Sequence, residues 1–237
     1  MKEAQYISYK NKEDIAMALI DWIENWLDDV KDHPAIHIAI SGGNTPKILF
    51  KYLAQSKHLD LFKNVHFWWV DERCVPMDDP ESNFLYFNEY FVKPTGFSSE
   101  QVHPIDGTNN PDSEAMRYGE LIETHISKKD TWPIFDLILL GMGDDGHTAS
   151  IFPHQIEYIT SQEICVVATH PITKQKRISL TGSVINRSKQ VIFLVTGADK
   201  KDIFNEIKNQ STNAIQYPAY HIQSNKPVLW FIDKDVE

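Results

Sequence analysis

Residues 136–153 read DLILLGMGDDGHTASIFP. The short apolar run before the first glycine, FDLILL, fits a strand covered on both faces, and the polar stretch after it reads as the loop that strand delivers. Within the loop, Gly141, Gly143 and Gly146 spell G-x-G-x-x-G, the spacing of a dinucleotide-binding turn. Such a turn lets a pyrophosphate approach the backbone and needs an acid at the end of the next strand for the ribose. Here Asp144 and Asp145 stand where the anion would approach and would repel it. The next apolar run, ICVVAT, leads to Thr169 and His170, with Glu163 lying before it. No dinucleotide is therefore expected, and the glycines instead let a crowded loop expose Asp145 and His147. Histidine is the side chain suited to act as a base near neutral pH, and Asp144 or Asp145 can fix its tautomer. Taken alone, His147 equally fits a cap for a helix beginning at TASIF.

Outward from this stretch, similar apolar runs recur: AIHIAI (35–40), VHFWWV (65–70), ICVVAT (164–169), QVIFLVT (190–196) and PVLWFI (227–232). They read as buried, mostly parallel strands. Helical spacing joins Ile15, Leu19, Trp22, Ile23, Trp26, Leu27 and Val30, and returns in PKILFKYLAQ, NFLYFNEYFVK, PDSEAMRYGELIETHIS and DKKDIFNEIKN. Strands alternating with helices indicate an α/β fold. With no long linker or repeat, residues 1–237 read as one domain. In such a fold ligands gather at the carboxyl edge of the sheet.

Two further loops fall at that edge. Ser41-Gly42-Gly43-Asn44-Thr45-Pro46 follows AIHIAI: glycines free backbone N–H groups, Ser41 and Thr45 add hydroxyls, and proline suits a first helical turn. This fits a phosphate cradle or, equally, a tight turn without a ligand, and it lacks the lysine of a Walker loop. Asp71-Glu72-Arg73 follows VHFWWV. Arg73 suits an oxyanion, although for this loop alone a surface ion pair is the simpler reading. Arg177, opening RISLTG, and Lys200, in TGADKKDIF, are cations that could add charge for a phosphate.

Composition narrows the class. The formal net charge is −10, which disfavours a nucleic-acid surface while leaving room for a small anion held by local cations. No segment has the apolar length of a membrane span, and the N-terminal stretch has no cleavage-site pattern, so a soluble cytoplasmic protein is expected. Cys74 and Cys165 are too far apart in sequence and too few for a disulfide framework or thiolate site. The ten histidines show no H-E-x-x-H pair, so no metal is expected, and His37 inside a strand reads as structural.

Taken together, SGGNTP, WWVDERCVP followed by ESNF, LLGMGDDGHTASIFP, RISLT and VTGADK resemble the 6-phosphogluconolactonases of the glucosamine-6-phosphate isomerase/6-phosphogluconolactonase family, in order from about residue 10 onward. The family more often has serine where this chain has Asn44. The resemblance implies a three-layer α/β/α, Rossmann-like fold shared with amino-sugar-phosphate deaminases, ribose-5-phosphate isomerase and CoA transferases, with no cofactor. It implies hydrolysis of a sugar-phosphate lactone in the pentose phosphate pathway. His147 would activate water, Asp145 would orient His147, and Arg73 would assist at the reacting end. Ser41, Gly42, Gly43, Asn44, Thr45, Arg177 and Lys200 would hold the phosphate, with Asp71, Asp144 and Gly143 in support. A monomer or weak homodimer is expected. The alternatives are a deaminase/isomerase of the same fold and a non-catalytic sugar-phosphate sensor. The deaminase pattern G-H-I-A-F-N-E-P places an acid after the histidine, where this chain has TASIFP.

Overall fold

A computed structural model describes residues 4–237. In chain order the strands are β1 (Gln5–Tyr9), β2 (Ile36–Ile40), β3 (Val65–Trp69), β4 (Asp71–Arg73), β5 (Val102–His103), β6 (Lys128–Lys129), β7 (Trp132–Pro133), β8 (Leu137–Gly141), β9 (Cys165–Thr169), β10 (Lys176–Leu180), β11 (Gln190–Val195) and β12 (Leu229–Asp233). The α-helices are α1 (Lys12–Val30), α2 (Asn44–Leu53), α3 (Asn83–Phe87), α4 (Lys93–Thr95), α5 (Pro111–His125), α6 (Gly182–Ile185) and α7 (Lys201–Lys208).

Seven strands form one sheet in the order β1-β12-β11-β8-β2-β3-β5, and every pairing in it is parallel. Strand alternation sends successive side chains to opposite layers. Phe67 and Trp69 of β3 meet Phe87 of α3, which also meets Phe50 of α2, whereas Trp68 between them meets Tyr118 of α5. Residues 88–92, expected as straight helix, form a π-turn between α3 and α4. The first helix forms as its spacing predicts. Asn11 caps it by accepting from Asp14 N at 2.8 Å, and Ile15, Leu19, Ile20, Ile23 and Leu27 make its buried stripe.

Two differences from the sequence reading matter for the site. ICVVAT is not a strand of the parallel sheet. As β9 it joins a separate antiparallel sheet, β4-β10-β9, and is apolar because α5 packs against it. TASIF starts no helix: Thr148 and Ile151 close a tight turn, and a 3-10 stretch begins only at Pro153. In the parallel sheet two strands, β1 and β5, have no counterpart among the expected apolar runs, and both lie at its edges; no residue of β1, QYISY, is fully buried.

Candidate active site

The chain leaves β2 toward β3 on one side of the sheet and leaves β8 toward β11 on the other. The loops after these two adjacent strands therefore diverge and open a crevice, the switch point where ligands of such sheets bind. Ser41 Oγ donates to Leu139 O at 2.9 Å and ties the two strands together at its floor. Gly43, with φ of 114°, precedes the first turn of α2, and Thr45 Oγ1 lies 3.0 Å from Thr196 Oγ1 after β11.

The glycine loop after β8 is folded around its histidine. Asp145 Oδ1 sits 2.5 Å from His147 Nδ1 and also accepts His147 N at 3.0 Å. Burial opposes ionisation of this carboxylate, but the hydrogen bond and charge of His147 hold its pKa below the ordinary value. With Nδ1 engaged, Nε2 is the ring nitrogen left for chemistry. The loop closes on itself through Gly143 N to His147 O at 2.9 Å and Gly146 N to Gly143 O at 3.1 Å. A Cβ on Gly143 would collide with the imidazole of His147. Gly146, with φ of 77°, packs under Tyr217, whose ring lies 2.7 Å from where a Cβ would be. Two of the three glycines are thus required by close packing, Gly143 against His147 and Gly146 against Tyr217. Asp144 is exposed, so it is Asp145 that partners the histidine.

The antiparallel sheet supplies the opposite wall. Arg73 on β4 and Arg177 on β10 are cross-strand partners, and the Nε atoms of both are buried without a hydrogen-bond partner. Arg73 Nη1 donates to Glu81 O at 2.7 Å. Burial lowers the Arg177 pKa, with Asp71 opposing and Arg73 adding to the shift. Glu72, whose simplest sequence reading is a surface ion pair, is buried. It accepts Arg73 N, Asn83 N and Phe84 N at 2.8, 2.9 and 2.9 Å, and Ser82 Oγ at 3.1 Å. It therefore fastens the start of α3 to β4. Asn83 in turn donates to Asp71 O at 2.9 Å.

Ser41, Gly42, Gly43, Asp71, Arg73, Gly143, His147 and Arg177 line one cleft of about 190 Å³, together with Asn83, Gly141, Met142 and Ala149. Of the other expected residues, Asn44 and Thr45 form the first turn of α2 and Asp145 stands behind His147. Lys200 is one loop away, its ammonium held by Asp199, and is not among the lining residues. Two larger clefts of about 780 and 750 Å³ contain none of these residues. No group of three or more His, Cys, Asp or Glu side chains among the described residues could hold a metal ion.

Sequence reasoning overlooked four residues here. Asn83 had a signal in the ESNF motif. Ser150, immediately beyond the glycine loop, accepts nothing visible from sequence, yet its hydroxyl donates to Asp71 Oδ2 at 2.6 Å. Phe152 is buried with its ring 4.8 Å from His147, 5.6 Å from the Arg177 guanidinium and 5.3 Å from His170. His170 has its pKa lowered by burial and by the charges of Arg177, His147 and Arg73, against an opposing effect of Asp145.

Comparison with known proteins finds relatives over most of the chain. The family described as glucosamine-6-phosphate isomerases/6-phosphogluconolactonase matches residues 10–230. The chain is 42% identical over 206 residues to a 6-phosphogluconolactonase of Haemophilus influenzae, covering 86% of each. It superposes on a solved devB protein with a TM-score of 0.90 at 37% identity, covering 98% of both chains. For the 6-phosphogluconolactonase of Trypanosoma brucei the TM-score is 0.85 at 26% identity, with 100% of this chain and 98% of that one covered.

Proposed function

Because the chain belongs to the glucosamine-6-phosphate isomerase/6-phosphogluconolactonase family, we propose that it hydrolyses 6-phospho-D-glucono-1,5-lactone to 6-phospho-D-gluconate in the oxidative pentose phosphate pathway. The observation that carries this reading is the cleft itself. A carboxylate-held histidine faces two arginines whose buried Nε atoms have no partner. That pairs a base with an anion-binding wall.

His147 Nε2 takes a proton from water, which attacks the lactone carbonyl. Asp145 stabilises the imidazolium so formed. Negative charge develops on the carbonyl oxygen as the tetrahedral intermediate appears. The N–H groups of Gly143 and Gly146 are spent inside the loop, and Arg73, at the reacting end of the cleft, stabilises that charge. Collapse expels the ring oxygen, to which His147 returns the proton, and the acid leaves as its carboxylate. Arg177 and the Ser41–Thr45 turn hold the phosphate, and Lys200 joins them by exchanging Asp199 for it. Binding energy at the phosphate thus positions the carbonyl. Asp71 and Asp144 play supporting roles.

The proposed enzyme is one cytoplasmic α/β domain, monomeric or weakly dimeric, that acts on a small sugar-phosphate lactone and needs no cofactor, nucleic acid or membrane. No helix among the described residues is long and apolar enough to cross a membrane. Deamination of an amino-sugar phosphate is less well supported, because residues 148–156 carry no carboxylate and Phe152 is buried there.

The test is hydrolysis of freshly generated lactone, coupled to 6-phosphogluconate dehydrogenase with EDTA present, measured against a buffer blank for the wild type and His147→Ala. Fast wild-type turnover that collapses in the variant supports the reading. A wild-type rate no greater than the blank overturns it and makes glucosamine 6-phosphate the next substrate to try.

A further inference from the structure

We propose that Ser150 is a positioning residue that keeps Arg177 from pairing with Asp71 and so leaves its guanidinium open to the phosphate. This rests on the reading that Arg177 receives that phosphate. Ser150 is fully buried directly behind the glycine loop. Its Oγ donates to Asp71 Oδ2 at 2.6 Å and accepts Arg177 Nη1 at 3.4 Å. Its own N–H donates to Ser179 Oγ at 3.1 Å, which fixes the backbone that carries the hydroxyl. One small side chain therefore stands between a buried carboxylate and a half-buried guanidinium.

An arginine and an aspartate left together in such a site close into a two-point ion pair, the strongest hydrogen-bonded arrangement open to them. Closure would occupy the donors that an incoming dianion needs. Ser150 prevents this by satisfying both partners with a neutral group: a donor for Asp71 and an acceptor for one Nη of Arg177. Ser150 engages only Nη1 of Arg177, and the buried Nε–H has no partner, so Nη2 is the donor that remains available to a phosphate. The arrangement joins three separate segments, the turn after His147, β4 and β10. The phosphate contact is thereby tied to the segment that also carries the base.

Removing the hydroxyl while keeping the space should let Arg177 swing onto Asp71. The experiment is calorimetric titration of 6-phosphogluconate, with gluconate as the unphosphorylated control, into wild type, Ser150→Ala, Ser150→Cys and the double variant Asp71→Asn/Ser150→Ala. Thermal unfolding of each variant serves as the check on folding. The near-isosteric cysteine, a poor donor, keeps the test open should the alanine variant fail to fold. The expected result is 6-phosphogluconate binding weakened about 10–100-fold in both single variants. Gluconate binding should be unchanged, KM should rise far more than kcat falls, and affinity should recover in the double variant, where the ion-pair partner is gone. A merely structural serine would leave the double variant at least as weak as the single one, and that result, or wild-type affinity in both single variants, overturns the proposal. Wild type that binds no sugar phosphate removes the parent reading and this one together. Wild type that binds normally beside unaffected Ser150 variants removes this one alone.

Discussion

Arg73 and Arg177 lie directly opposite each other on the antiparallel strands β4 and β10, with the Nε of each buried and without a partner. Like charges in that relation are destabilising, and a bound ligand with its carboxylate at Arg73 and its phosphate at Arg177 removes the cost. Saturating 6-phosphogluconate should therefore stabilise the protein. At a hundredfold excess over Kd the gain is about 2.7 kcal/mol, a rise in Tm of roughly 5–10 °C for a chain of this size. In Arg177→Met the apo Tm should hold or rise slightly and most of the ligand-induced shift should vanish, as differential scanning fluorimetry can show. KM should increase with kcat less affected.

His147→Ala should lower kcat by about 10²–10⁴-fold, the range of a positioned general base, with KM for the lactone little changed. Asp145→Asn should lower kcat in the same direction by a smaller factor, because the imidazole keeps a neighbour but loses the charge that stabilises its protonated form. Steady-state kinetics on fresh substrate separates the two. Full activity of His147→Ala would remove the assigned base.

Gly143→Ala and Gly146→Ala should fail in different ways. At Gly143 the new methyl meets the His147 ring, so kcat should fall at least tenfold while the fold survives. At Gly146 the positive φ and the Tyr217 ring both oppose a side chain, so the loss should show first in stability, about 1–3 kcal/mol, measured by urea unfolding. If the two variants behave alike, the separate roles given to the two glycines are wrong.

Behind the sheet, His37, His66, His103 and His125 cluster around Trp68. His66 Nδ1 lies 2.9 Å from His103 Nε2, and the His103 ring stacks on Trp68 at 4.0 Å. Burial pushes His37 down to about 4 and His103 down to about 3, with the neighbouring histidines adding to the shift at His103. Both are neutral in the folded protein and take up protons near pH 6.5 when unfolded. Below that pH the unfolded chain binds more protons, so stability is complete above about 6.5 and drains away as the pH falls toward 4 and then 3. Thermal unfolding from pH 8 to 4 should show Tm falling below about pH 6.5. His103→Phe, which keeps a ring against Trp68, should flatten that fall.

Much of this could be read from the chain. The strands β2, β3, β8, β11 and β12 are buried on both faces and so are written as unbroken apolar runs, and the loops after β2 and β8 carry the residues that meet in the cleft. The small sheet was harder to see. Asp71–Arg73 is too short and too charged to read as a strand, and Cys165–Thr169 looks like a parallel strand because α5 covers it. Glu72 reads as a surface charge, since its four donors come from Arg73 and from residues 82–84, which only tertiary structure brings to it. Lys200 is a different case. Its position after a strand and a glycine points to the cleft, and its ammonium is held by its own neighbour, Asp199, a pairing that the strand-and-glycine pattern does not reveal.

The pairing of β1 with β12, Gln5 beside Leu229, has a consequence for how the protein is made. Of the strands in this sheet β1 is made first, and it finds its place only when residues 229–233 have followed it, a wait on the order of tens of seconds at ordinary rates of translation. The segment that clamps the glycine loop, with Ala219 donating to Gly146 O at 3.0 Å, also arrives late. A nascent chain stalled before residue 214 should hold His147 in an unclamped loop beside an open sheet edge, so catalytic competence and protection from edge-to-edge aggregation should be gained together, once residues 214–233 have been made.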